Sequence, residues 1–295
     1  MKKSPFLFFL LLVFVVMPRI YAQVPSPPDP FSGNRGSIVD SLNRMNRAIE
    51  NANSEPTLQD AHFLGRAVAA HIFAMYRPYT QSPALTRYVN TILQTLVINS
   101  SRPVLFKGYF AVIIDSPEIN AFATPGGHIF LSRGLVEAAT SEEMLAAVLA
   151  HELAHVVLDH GLSMISSMAF SNEVAEIANR AAGFAGNSAD AAKLMGFRDS
   201  VSGMVETMVK TGYSRNQEFA ADREALAILA SAGYNPRGLL EILEVLERSQ
   251  THHRGGFFAT HPTPADRIRN VEEAVRLHRV PDTTNYRRAR FTRNR

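Results

Sequence analysis

Residues 151–161 read HELAHVVLDHG. His151 and His155 are four apart, so on a helix their imidazoles leave one face, a turn from each other. Histidines so placed hold one divalent metal ion of the zinc type, with Glu152 beside them as a general base. A catalytic site of this kind takes three protein ligands and keeps a fourth position open. The identity of the third ligand decides how the rest of the chain must fold around this helix.

His160 is the nearest offer. Successive helical residues turn by about 100°, so His160 faces away from the pair unless the helix breaks. The extended pattern that does break, H-E-x-x-H-x-x-G-x-x-H, needs glycine where Leu158 stands and histidine where Gly161 stands. His160 therefore reads as a helix C-terminal residue, favoured by the dipole and followed by a Gly161 cap. The second offer is YSRNQEFAADREAL, residues 213–226. Glu218 and Asp222 are again four apart, on one helical face. Glu218 would complete a His₂Glu ligand set, and Asp222, one turn along, would accept the free N–H of a ligating histidine. The small residues of this helix (Ala220, Ala221, Ala225, Ala227) allow close packing.

The surroundings have two periods. Upstream, SIVDSLNRMNRAIENAN from Ser37, LQDAHFLGRAVAAHIFAMY and PALTRYVNTILQTLVIN read as helices. YFAVIID (109–115) is a β-branched and aromatic strand, and INAFAT and HIFLS, joined by Pro125-Gly126-Gly127, form a hairpin. Thr140 and Glu143 read as a capping box opening the HELAH helix. From Gly161 onward the pattern is helical again. The class is α+β, mostly α-helical, with a small β-sheet beside the metal-motif helix.

The 295 residues, 46% hydrophobic, can bury a substantial core. Residues 1–22 read as a signal peptide: Lys2 and Lys3, the twelve-residue apolar run Phe6–Met17, then Ala22 before a cut. Residues 23–36 are a Pro/Gly linker, 37–280 the main domain, and 281–295 a basic tail expected to be disordered. Removing Lys2, Lys3 and Arg19 with the signal takes the formal charge from +3 to 0. The one basic concentration left is the tail, with five Arg in its last nine residues, a candidate peripheral contact with a membrane. No nucleic-acid partner is expected. With no cysteine there is neither a disulfide nor a cysteine-linked lipid, and the expected location is periplasmic or secreted.

The run INAFATPGGHIFLSRGLVEAATSEEMLAAVLAHELAHVVLDHG, followed in order by YSRNQEFAADREAL and THPTPADRIRN, resembles the M48 zinc metallopeptidases. The likeness covers roughly residues 81–275. It implies a gluzincin-type zincin fold and one Zn²⁺ per chain held by His151, His155 and Glu218, with Glu152 as the base. It also implies that the strand near Asn120 to Thr124 borders the cleft, with Asn120, Ala121 and Phe122 as candidate substrate contacts, where an extended substrate adds through main-chain hydrogen bonds. His261, in THPTP, takes one of two roles from its place in the pattern: a donor to the tetrahedral oxyanion, or a displaceable fourth ligand that keeps the site latent. Tyr213 and Arg215 are further donor candidates.

The expected activity is a metalloendopeptidase cutting unfolded or misassembled envelope proteins. A non-catalytic, chaperone-like binder with a plugged site is the alternative, against which an intact Glu152 speaks. A structural zinc domain is disfavoured, because such sites take four protein ligands, often cysteines. A thermolysin-like enzyme would carry its glutamate much nearer the second histidine.

Overall fold

The computed structural model describes residues 57–169, 212–249, 261, 264–278 and 284–294. The signal peptide, the linker, the helix expected from Ser37 and most of the stretch 163–212 lie outside them.

Two helices come first, α1 (Leu58–Met75) and α2 (Pro83–Val97). Ser82 caps α2, its Oγ accepting from Leu85 N–H at 3.3 Å, and Pro83 follows where no N–H is needed. Tyr88, Val89, Ile92, Leu93, Leu96 and Val97 then form one buried face. Three strands follow: β1 (Phe110–Ile114), β2 (Ala121–Thr124) and β3 (His128–Ser132). Their order is β1-β3-β2; β3 runs parallel to β1 and antiparallel to β2, with Phe122 opposite Phe130. The expected hairpin is present and leaves β2 at a sheet edge. Its turn needs glycine: Gly126 and Gly127 have φ of 77° and 95°, and a Cβ on Gly126 would stand 2.5 Å from the Cα of His62 in α1.

The two-residue period sorts the strand side chains between two layers. Phe122 and Phe130 face α1, packing with Leu64, Val68 and Ile72. Ala121, Ala123, Ile129 and Leu131 face the other way, into the main core. There α3 (Arg133–Ala138) leads into α4 (Glu142–Val157), the helix of the metal motif. All 16 residues of α4 are buried, between β2, α2, α6 (Arg215–Ser231) and α7 (Arg237–Ser249). An all-round buried helix is stabilised by Leu145, Leu149 and Leu153, each contributing about 1.5–3 kcal/mol. Its polar residues must find partners within the fold. The architecture is α+β and mostly helical, and no described helix is long and apolar enough to cross a membrane.

Three local expectations are corrected. The cap of α4 is Ser141, not Thr140: Ser141 Oγ accepts from Met144 N–H at 3.2 Å, while Thr140 faces the Met144 sulfur. His160 does not end the helix. Leu158 caps α4, Asp159 takes a left-handed φ of 53°, and His160 opens α5 (His160–Ala169) with Gly161 inside it. The basic tail forms α9 (Thr284–Asn294) rather than a disordered end, following α8 (Pro264–Val275). Phe291 of α9 is buried, and Arg290 Nε donates to the Glu142 carboxylate at 2.7 Å. Those tertiary partners, rather than local propensity, hold the tail helix.

Candidate metal centre

The centre is assembled from α4, the start of α6, and the segment around His261 and α8. His151 and His155 leave α4 on one face, with ring centroids 4.7 Å apart. Ser214 and Gln217 form a full capping box at the start of α6, and Glu218 and Asp222 project from its next turns. Ala221 and Ala225 are fully buried and let α6 lie close along α4.

His151, His155, Glu218 and His261 bring one donor atom each to within 4.8 Å of all the others. The two Nε2 atoms of His151 and His155 are 3.1 Å apart. Glu218 places Oε1 at 3.3 Å from His155 Nε2 and Oε2 at 3.4 Å from His151 Nε2. His261 Nδ1 lies 2.9 Å from Glu218 Oε1 and 3.4 Å from His151 Nε2. Donors around a tetrahedral ion bound at about 2.0–2.1 Å stand about 3.4 Å apart. The donor types and their separations therefore fit a zinc-like cation. All four residues are at most 2% exposed.

Asp222 Oδ1 is 3.1 Å from His151 Nδ1, the contact expected of it. The other partners were not foreseen. Arg267 of α8 is buried and donates to both Asp222 oxygens, at 2.9 and 2.6 Å. It also lies 3.2 Å from Glu218 Oε2. One guanidinium thus serves the carboxylate in the donor set and the one behind it. THPTPADRIRN contains Arg267, but nothing local marks an arginine as buried. His160 was set aside as a ligand and is absent from the four-donor group. The helix break nevertheless brings its Nδ1 to 2.9 Å from His155 Nδ1. Tyr213 lies flat against His155, its ring 4.0 Å away at 17°.

Electrostatics separate the groups. Burial pushes the Glu218 carboxyl up, but His261, Arg267 and its histidine hydrogen bonds prevail and hold it well below the usual range. Burial drives His155 well below its ordinary value, keeping the ring neutral. Burial and the Arg267 charge also depress His151, but its hydrogen bonds to Asp222 and Glu218 outweigh them and hold it at about 9. A cation at His151 Nε2 competes for the lone pair that this proton occupies. Glu152 stands apart. It is fully buried, neither carboxylate oxygen has a hydrogen-bond partner among the described residues, and His261 Nε2 is 3.5 Å away. Burial raises its carboxyl pKa despite the nearby His261 and His151. A buried carboxylate left without hydrogen bonds is costly and is a mark of functional sites.

A narrow cleft of about 10 Å³, room for little more than one water, opens beside His155, lined by Ala123, Thr124, Pro125, Gly161 and Tyr213 among others. The second half of β2 borders it. Asn120, Ala121 and Phe122 are buried one step further along the strand. The Asn120 N–H donates to Ser132 Oγ and its carbonyl accepts from the Ser132 N–H, both at 2.9 Å, and Phe122 stacks on Phe130 at 5.4 Å. Of the donor candidates, Tyr213 joins the centre. Arg215 does not; its side chain is 65% exposed and paired with Asp266 at 2.7 Å.

Comparison with known proteins places the chain in a family. The sequence pattern described as peptidase family M48 matches residues 83–275. Metalloprotease LoiP of Escherichia coli is 28% identical over 66% of this chain and 74% of its own length. The beta-barrel assembly-enhancing protease of Escherichia coli is 26% identical over 65% of this chain but only 39% of its own. The mitochondrial metalloendopeptidase OMA1 of Schizosaccharomyces pombe is 32% identical over 64% of this chain and 52% of its own. The match thus spans most of the LoiP length, about half of OMA1 and well under half of the beta-barrel assembly-enhancing protease.

Proposed function

Because this chain belongs to peptidase family M48, we propose that it is a zinc-dependent endopeptidase with His151, His155 and Glu218 as ligands and Glu152 as general base. The observation that carries this reading is the buried convergence of His151, His155, Glu218 and His261 beside a Glu152 carboxylate that has no hydrogen-bond partner among the described residues. His151, His155 and Glu218 would hold the zinc ion, which would supply Lewis acidity toward water and the scissile carbonyl. Glu152 takes the proton of the attacking water and returns it to the leaving amine; a raised carboxyl pKa suits both transfers. Asp222 holds His151 in one tautomer, and Arg267 balances the two carboxylates it bridges. Tyr213, in the cavity wall, is the remaining oxyanion donor among the sequence candidates.

For His261, the contacts to Glu218 and His151 support the role of displaceable fourth ligand over that of oxyanion donor. The resting enzyme is then latent, and substrate entry displaces His261. The substrate class is an unfolded or misassembled envelope protein, because binding along the β2 edge requires an extended segment. An exported location follows from the apolar run Phe6–Met17 behind Lys2 and Lys3. The test is metal analysis of the purified chain together with cleavage of an unfolded protein, set against Glu152→Gln. One zinc per chain with cleavage lost only in the variant supports the reading. A chain that takes up no metal overturns it.

A further inference from the structure

The partners of the two α4 histidines differ. His151 backs onto the Asp222 carboxylate at 3.1 Å, whereas His155 backs onto another imidazole, with its Nδ1 2.9 Å from His160 Nδ1. We propose that His160 is a positioning residue of the metal centre: it accepts the Nδ1–H of His155 and fixes that ring with its Nε2 lone pair toward the ion. The inference rests on the reading of His155 as a ligand.

The direction of the hydrogen bond follows from the ring chemistry. His155 Nε2 faces the cluster, 3.1 Å from His151 Nε2 and 3.3 Å from Glu218 Oε1. A ligating Nε2 must offer its lone pair, so the single proton of a neutral ring sits on Nδ1. Two ring nitrogens 2.9 Å apart share one proton, so His160 Nδ1 accepts and carries its own proton on Nε2. Against a His160 in the other tautomer, donating from Nδ1, His155 Nδ1 would have to accept, which would put its proton on the Nε2 facing the ion and prevent binding.

The fold holds His160 in place for this. On an unbroken helix it would face away from His155. The left-handed Asp159, φ 53°, turns the chain between α4 and α5, and its main-chain oxygen accepts from Ser163 N–H at 2.9 Å. Its carboxylate is gripped by Arg102 through two bonds of 2.7 and 2.6 Å. A non-glycine left-handed residue costs about 1–3 kcal/mol and persists where surrounding contacts demand it. Tyr213 stacks on the His155 face at 4.0 Å while the His160 ring meets its edge at 5.0 Å. The imidazole is therefore confined from two sides, and His160 supplies the only one of these contacts that distinguishes its tautomers.

The test uses the full-length chain with His160→Ala and His160→Gln. The amide oxygen of glutamine can accept the same N–H. Zinc affinity is measured by competition with a chromophoric chelator, and the ligand field is read from the visible spectrum of the Co²⁺-loaded protein. His160→Ala is expected to weaken zinc binding roughly 10–100-fold and to alter the Co²⁺ spectrum, with His160→Gln recovering most of both. A purely structural residue would lower the thermal midpoint of the metal-free chain and leave affinity and spectrum unchanged; that result overturns the proposal. Loss in both variants alike also overturns it, since acceptor chemistry would then not matter. A wild-type chain that binds no metal overturns the ligand assignment itself, and the role of His160 with it.

Discussion

Arg290 of α9 donates to Glu142, the first residue of the helix that carries the metal motif. Glu142 is fully buried and also accepts from the hydroxyls of Tyr88 at 2.6 Å and Tyr234 at 3.0 Å. Burial pushes its carboxyl up, but Arg290 and the tyrosines outweigh that and hold the pKa below its ordinary value. A depressed carboxyl stabilises the fold above the unfolded value of about 4.3. That stability is lost as pH falls through the lower folded value. Arg290→Ala is expected to cost about 1–3 kcal/mol at neutral pH, below the full penalty for breaking a buried pair because Arg290 is half exposed. Glu142→Gln should flatten the decline in stability below about pH 4.3. Urea unfolding at pH 7 and at pH 3 checks both; equal pH profiles for parent and Glu142→Gln would count against the ion pair.

Glu152 should be separable from metal binding. Its oxygens make no hydrogen bond among the described residues and meet only the longer 3.5 Å contact from His261 Nε2, so Glu152→Gln removes the base and leaves the metal donors in place. Cleavage of an unfolded protein should fall about 10²–10⁴-fold, the usual contribution of general acid–base catalysis. Zinc content by elemental analysis should not change. Loss of metal in this variant would mean that Glu152 belongs to the ligand set.

The sheet and the hairpin were legible because each rests on local periodicity. Glu218 lies 63 residues beyond His155, and its four-residue offset from Asp222 gave only a shared helical face; the M48 resemblance, not spacing, pointed to it as the third ligand. What escaped was decided at a distance. Nothing in VVLDHG announces that Asp159 will turn left-handed, because the arginine that grips it, Arg102, sits 57 residues earlier. The same blindness hid Arg267, which looks like a solvated helix residue until Asp222 and Glu218 surround it. The tail reads as disordered by composition, since the carboxylate and the aromatic ring that hold Arg290 and Arg287 come from α4 and from Tyr234.

Arg267 should matter most when the metal is gone. It lies within 3.2 Å of Glu218 and 2.6 Å of Asp222, so Arg267→Met leaves two buried carboxylates facing each other. Breaking such a pair costs about 3–5 kcal/mol. A bound divalent cation restores part of that charge balance and stabilises the folded state by mass action. In thermal unfolding, the variant should lose more in chelator than in excess zinc. An equal loss in both conditions would show that Arg267 acts by packing alone.

His261 connects the closed geometry to latency. Its Nδ1 is 2.9 Å from Glu218 Oε1 and 3.4 Å from His151 Nε2, and its ring is 1% exposed. A fourth protein ligand must leave before a substrate carbonyl can enter. His261→Ala is therefore expected to raise cleavage of an unfolded protein several-fold while weakening zinc binding only modestly, because three ligands remain. An oxyanion donor would behave in the opposite way: its removal would lower kcat about 10²–10³-fold and leave the metal in place. Steady-state kinetics on His261→Ala, with zinc content measured on the same sample, separates the two roles by the sign of the change. A fall in cleavage with full zinc occupancy would return His261 to the oxyanion role and leave the latent state without a plug.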